Sequence, residues 1–153
     1  MELQIRQMKS KDRNEVISMM EVFYASDAVS TNGSPEIFAK DFENCINDCP
    51  YLEGYIFCNN EIIMGYAMIA KSFSTEFGKQ CIWMEDLYLK KEFRGNGIIP
   101  KFLKYIENEY PNAIHKLEVE KENIHAIHVY NKCGFCELPY TEMKKETSPA
   151  TNC

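Results

Sequence analysis

Between Trp83 and Leu103 the chain runs WMEDLYLKKEFRGNGIIPKFL. Aromatic and branched apolar residues around Glu85-Asp86 read as a strand, Lys90-Lys91-Glu92 as a charged connection, and Arg94-Gly95-Asn96-Gly97 as a glycine turn. The residues after Gly97 read as an amphipathic helix. A strand that passes through a glycine turn into a helix constrains the rest of the chain more than any other stretch. The first-turn N–H groups of that helix have no internal partner, and they lie at the positive end of its dipole. The arrangement is an anion site. With the N-cap placed at Asn96, the free N–H groups belong to Gly97, Ile98 and Ile99, and Pro100 comes next, where a missing donor costs little. Gly95 and Gly97 let an anion come close. Arg94 adds a permanent positive charge. Two carboxylates stand just upstream.

The remaining elements fall into place around this stretch. Leu3 to Met8 alternates and predicts a first strand. Ser10 or Asp12 opens an amphipathic helix through Val16, Ile17, Met20 and Phe23. Residues 25–33 are small and polar, hence a loop. Ser34 is an N-cap with Pro35 at the first helical position, and Phe38, Phe42, Cys45 and Ile46 recur at helical spacing. Gly54 to Cys58 and Glu61 to Phe73 form a hairpin, because Asn59-Asn60 tolerates positive φ. A turn at Gly78 leads into the strand Gln80 to Leu89. The helix after Gly97 continues through Phe102, Leu103 and Ile106 and stops before Pro111. His115 to Glu120 is a strand, and a helix runs from Asn123 to Cys133-Gly134. Phe135-Cys136 and Tyr140 to Lys145 read as a closing pair of strands. The order is β-α-α-β-β-β-α-β-α-β-β, which predicts one α/β domain over 1–146 with a mixed sheet and a flexible tail over 147–153.

Composition narrows the function. The chain has 153 residues with a formal net charge of −6, which argues against non-specific nucleic-acid binding and suits a cationic substrate. The seven cysteines are odd in number and irregularly spaced. With no signal peptide in evidence, they predict reduced thiols in a cytoplasmic protein. Cys133-x-x-Cys136 is half of a zinc or redox motif, but its only partner pair, Cys45 and Cys49, is spaced too loosely. His125 and His128 have no third ligand at motif spacing, so no metal is expected. No apolar run reaches the ~18 residues of a membrane span.

A second constellation lies at Asn123 to Phe135, NIHAIHVYNKCGF. Asn123 is a good N-cap. Ala126 and Tyr130, four apart, share one helical face. Gly134 suits the left-handed position that ends a helix, and Phe135 enters the next segment.

On these two stretches the chain resembles the GCN5-related N-acetyltransferase (GNAT) family. The family's acetyl-CoA motif, Arg/Gln-x-x-Gly-x-Gly/Ala, is similar to Arg94-Gly95-Asn96-Gly97-Ile98-Ile99. Its later N-x-x-A-x-x-x-Y-x-x-x-G-F pattern is matched at every fixed position from Asn123 to Phe135. The E-D-L-Y-L opening at Glu85 resembles the polyamine-acetyltransferase-like branch. Ile99 departs from the pattern, standing where the family has Gly or Ala.

The resemblance implies a mixed, splayed sheet of about six to seven strands flanked by about four helices. It implies acetyl-CoA as co-substrate, its pyrophosphate on residues 94–100 and its pantetheine arm along the backbone of Leu87, Tyr88 and Leu89, with Asn123 bonding the same arm. It implies acetyl transfer to a small amine or peptide acceptor. A carboxylate, Glu85 first and Asp86 second, would act as base directly or through water, and Tyr130 as acid. Strand alternation sends Glu85 and Asp86 to opposite faces, so one of them is expected at the site. A homodimer is common in that family. A non-catalytic acyl-CoA-binding domain is the alternative that the same cradle would serve.

Overall fold

The computed structural model describes residues 2–29 and 33–147. One sheet of five strands forms its centre: β1 (Gln4–Gln7), β2 (Leu52–Asn59), β3 (Ile62–Ser74), β4 (Lys79–Leu89) and β5 (Ile114–Leu117), ordered as in the chain. β1 to β4 are antiparallel and β5 lies parallel to β4, so the sheet is mixed. Four helices accompany it: α1 (Arg13–Tyr24), α2 (Pro35–Ile46), α3 (Ile98–Glu109) and α4 (Ile124–Lys132).

The long apolar runs of β2 and β3 reflect helices on both faces of the sheet. Ile56, Cys58, Tyr66 and Met68 point into a core with Val16, Met19 and Met20 of α1 and Phe38 and Phe42 of α2. Their neighbours Tyr55, Phe57, Ala67 and Ile69 point into a second core with Ile98, Phe102, Leu103 and Ile106 of α3.

Local chemistry sets the ends of these elements. The Ser34 hydroxyl accepts from the Ile37 N–H at 3.2 Å with Pro35 opening α2, as its sequence predicts. Asn60, at φ 54°, turns β2 into β3. α1 begins at Arg13, after a 3₁₀ turn over Ser10–Asp12. There Arg6 of β1 grips the buried Asp12 with two bonds of 2.7 and 2.8 Å. Glu53 of β2 accepts from Tyr55 at 2.6 Å, Lys71 at 2.6 Å and Tyr110 at 2.8 Å, pinning the end of α3 to the sheet.

The closing strand pair is not formed. Residues 135–147 pair with no strand, and the sheet has five strands among the described residues rather than six to seven. Pro139 lacks a ladder donor, and Tyr140 to Lys145 lie exposed with no apolar face to bury. β5 ends at Leu117, short of the expected Glu120, where the charged Glu118 begins. Part of the predicted 25–33 loop and nearly all of the predicted 147–153 tail lie outside the described residues.

Candidate active site

The site begins with an irregularity in β4. Met68 pairs with Asp86 and Ile69 with Met84, so Glu85 is an extra residue with no partner on β3. This is a β-bulge. It resets the alternation: Ile82 and Met84 belong to the α3 core, and after the bulge Asp86 turns to the α1 face beside Tyr66. Glu85 and Asp86 therefore do not diverge to opposite faces, as plain alternation predicts. Both border one cavity of about 240 Å³, with Tyr24, Asp41, Tyr51, Leu52, Met68 and Ala70.

That cavity is acidic. Asp86, 3% exposed, accepts from the Tyr24 hydroxyl at 2.9 Å and from the Tyr66 hydroxyl at 2.8 Å. Burial pushes its carboxyl up to about 6, against the two phenol bonds that pull it down. Burial, and then the charge of Asp86, raise Glu85 as well. Asp41, from α2, is raised by burial. No Lys, Arg or His is among the described lining residues. Glu118, just past β5, is pushed up to about 7 by burial and by Glu142 of the C-terminal segment.

β4 also loses a neighbour at this point. Its parallel pairing with β5 ends at Met84–Leu117, yet β4 continues to Leu89 with β3 alone beside it. β5 ends there, and the edge of Leu87 and Leu89 on the β5 side carries backbone polar groups that pair with no strand among the described residues, while Tyr88 between them turns its N–H and C=O to β3. An extended chain can add to such an edge.

The glycine turn lies at the far end of the opened edge. The N-cap of α3 is Gly97, at φ 68° and ψ 21°, one residue later than the expected Asn96. The Asn96 side chain instead folds back to donate to the carbonyls of Phe93 and Arg94, at 3.1 and 3.2 Å. Pro100 is consequently the third helical residue, and Gly97, Ile98 and Ile99 carry the free N–H groups. A Cβ built at Gly95 or Gly97 meets no atom within 4 Å, so the turn is open to a ligand. Ile99 packs against the α3 core, so its bulk is accommodated there. Arg94 donates from Nε to the Leu89 carbonyl at 3.0 Å, which ties the turn to the end of β4.

α4 is built as its sequence predicts. The Asn123 Oδ1 caps the Ala126 N–H at 3.2 Å, which leaves its amide N–H₂ free to donate. At the other end Gly134, at φ 90°, and Phe135 send N–H groups back to Asn131 and Tyr130. This double return is the Schellman closure. Tyr130 packs its ring edge-on against Phe135 and joins the apolar cluster that holds Leu87, Leu89 and Leu117. Burial raises its hydroxyl above the usual range. Its hydroxyl makes no hydrogen bond among the described residues, and none links it to Glu85. Cys133 and Cys136 are free thiols, and no group of three or more metal-ligating side chains occurs among the described residues.

The family model of the acetyltransferase (GNAT) family matches residues 17–135. The chain belongs to this family. It is accordingly an acyltransferase with the mixed α/β GNAT fold. No curated protein sequence matches it. Among solved structures, it is similar to a possible acetyltransferase from Clostridium difficile 630, with a TM-score of 0.78 and 20% identity over 96% of this chain and 99% of that one. The structure of AAC(6′)-Iy, in complex with the bisubstrate analogue CoA-S-monomethyl-acetylneamine, gives a TM-score of 0.77 and 13% identity over 97% and 100%. A predicted acetyltransferase from Clostridium acetobutylicum, solved with acetyl-CoA, gives 0.75 and 22% over 94% and 96%. At these identities the likeness concerns the GNAT fold.

Tyr24 and Asp41 of the acidic cavity, and Tyr66 buried behind Asp86, escape a reading of this GNAT sequence. Tyr24 lies 62 residues from the carboxylate it bonds. Nothing in the local pattern separates these side chains from ordinary core and surface positions.

Proposed function

We propose that this GNAT protein moves an acetyl group from acetyl-CoA to a primary amine by direct attack. The observation that carries this reading is the acidic cavity opening at Glu85 and Asp86, where β4 leaves β5. A cavity lined by carboxylates and no basic group among the described residues favours a cationic acceptor. The adjoining edge and glycine turn fit the long, anionic partner. Free N–H groups at Gly97, Ile98 and Ile99, open space over Gly95 and Gly97, and Arg94 beside them suit the pyrophosphate. Along the edge of Leu87, Tyr88 and Leu89, the backbone of Leu87 and the N–H of Leu89 face outward to the pantetheine arm, and Asn123 offers its amide.

Alkylamines are mostly protonated at neutral pH and must lose a proton before attack. Glu85, on its bulge at the cavity and free of hydrogen bonds among the described residues, takes that proton directly or through water. A carboxyl raised by burial and by Asp86 is the stronger base for it. The amine then forms the C–N bond as the C–S bond breaks. Tyr130, a phenol held protonated, gives a proton to the departing thiolate, and the second proton that the nitrogen sheds as the amide forms restores the phenol through solvent.

The test is thiol release from acetyl-CoA across a panel of alkylamines and peptide N-termini, with the acetylated product identified by mass spectrometry. Amine-dependent release is the expected result. Binding of CoA without release for any amine would overturn the reading.

A further inference from the structure

Asp86 is held in an unusual way for a buried charge. Its partners are neutral: Tyr24, the last residue of α1, on Oδ1 and Tyr66 of β3 on Oδ2. A buried carboxylate ordinarily stands against a cation, because desolvation is otherwise uncompensated. Around Asp86 the charged neighbours are Asp41 from α2 and Glu85 from β4, both of its own sign. Each oxygen has accepted one phenol, and a carboxylate has about four acceptor sites. One lone pair per oxygen remains, and the group borders the cavity.

We propose that Asp86 anchors the charged head of the acceptor amine, and that Tyr24 and Tyr66 are positioning residues that hold its carboxylate toward the cavity. This rests on the amine-acetyltransferase reading. It divides the two carboxylates by their surroundings. Two phenol donors favour Asp86 as an anion with a fixed orientation, which suits holding a cation and ill suits passing a proton. Glu85, unpaired on the bulge, has the freedom that proton removal needs. The anchor is rigid because its holders are: the Tyr24 ring lies 5.1 Å from Phe38 and 5.4 Å from Phe23, and the Tyr66 ring 5.9 Å from Tyr88. α1, α2 and the sheet together therefore set where the charged nitrogen rests.

The experiment compares two acceptors with the same protein: butylamine, charged at neutral pH, and aniline, neutral there. For Asp86→Asn the KM for butylamine should rise about tenfold to a hundredfold. The KM values for aniline and acetyl-CoA should hold. Tyr24→Phe and Tyr66→Phe should raise the butylamine KM about threefold to tenfold with the same selectivity. Because Tyr66 is fully buried, Tyr24→Phe is the variant that keeps the test sound if the other fails to fold. An unchanged butylamine KM in Asp86→Asn, or an equal rise for both amines, would overturn the anchor. If the wild-type protein releases no thiol with any amine, the acetyl-transfer reading falls separately. Calorimetry of butylamine with the CoA-bound protein then decides the anchor. Binding by wild type that is lost in Asp86→Asn supports it, and equal binding refutes it.

Discussion

Gly97→Ala separates the turn's backbone requirement from its service to a ligand. Gly97 sits at φ 68° and ψ 21°, in the left-handed region. A side chain there costs about 1–2 kcal/mol. In a domain of this size that lowers Tm by roughly 2–8 °C. The added Cβ meets no protein atom within 4 Å, so no clash enlarges the figure. Gly78, in the β3–β4 turn at φ 62° with the same open surroundings, is a matched control. Gly78→Ala should carry the same strain and leave ligand binding alone. In Gly97→Ala the methyl group takes up part of the open space beside the turn, where the ligand is proposed to lie. Lengthening one or two charge-assisted hydrogen bonds there should weaken CoA binding about tenfold to a hundredfold. Thermal unfolding without ligand and calorimetry with CoA at fixed ionic strength read the two effects apart. CoA affinity unchanged from wild type in both variants would show that Gly97 serves only the turn and would refute the cradle. Equal loss in both would assign the effect to general destabilisation.

Tyr130→Phe should lower kcat about a hundredfold while keeping the KM for acetyl-CoA; steady-state rates equal to wild type across pH would remove Tyr130 from the chemistry. Burial and the charge of Asp86 hold Glu85 above the usual carboxylate range, so wild-type kcat/KM should fall as pH drops through that raised value. Glu85→Gln should remove its share of this fall and leave the share due to Asp86, whose carboxyl is pushed up to about 6, and a pH profile identical to wild type would make water the base. Asp12→Asn tests the β1–α1 junction. Burial pushes the Asp12 carboxyl up, but the bonds from Arg6 and the Lys9 N–H outweigh it and bring the value below its ordinary 3.8. A depressed carboxylate stabilises the fold above its unfolded value and loses that contribution as pH falls through the folded one. Urea unfolding should therefore show the variant about 2–3 kcal/mol less stable at pH 7, with the gap closing in acid.

What the sequence discloses here is mostly local. The caps at Ser34 and Asn123, the return at Gly134-Phe135, the Asn60 turn and the positive-φ glycines before α3 each depend on a few neighbouring residues, and each is found where its residues predict. The features that escape depend on pairing between distant segments. The bulge at Glu85 exists because β3 pairs Met68 and Ile69 across it, and no period within β4 announces that. The shift of the α3 cap from Asn96 to Gly97 arises because the Asn96 amide finds carbonyls behind it. Tyr140 to Lys145 alternates like a strand but finds no neighbour to pair with, and local alternation supplies none. Tyr24 and Tyr66 meet Asp86 only once α1 is packed on the sheet.

The bulge bears on how long β4 needs to be. Met84 lies in the α3 core, Asp86 turns to the α1 face, Leu87 returns to the α3 core and Tyr88 goes to the α1 face. Omit Glu85 and these residues alternate without interruption, opposite an unbroken Met68 and Ile69. The sheet would close regularly on a chain one residue shorter. Glu85 is thus supernumerary to the strand pairing, an insertion that serves the cavity rather than the sheet. Its deletion from the interior of a central strand should leave a folded protein that has lost its proposed base.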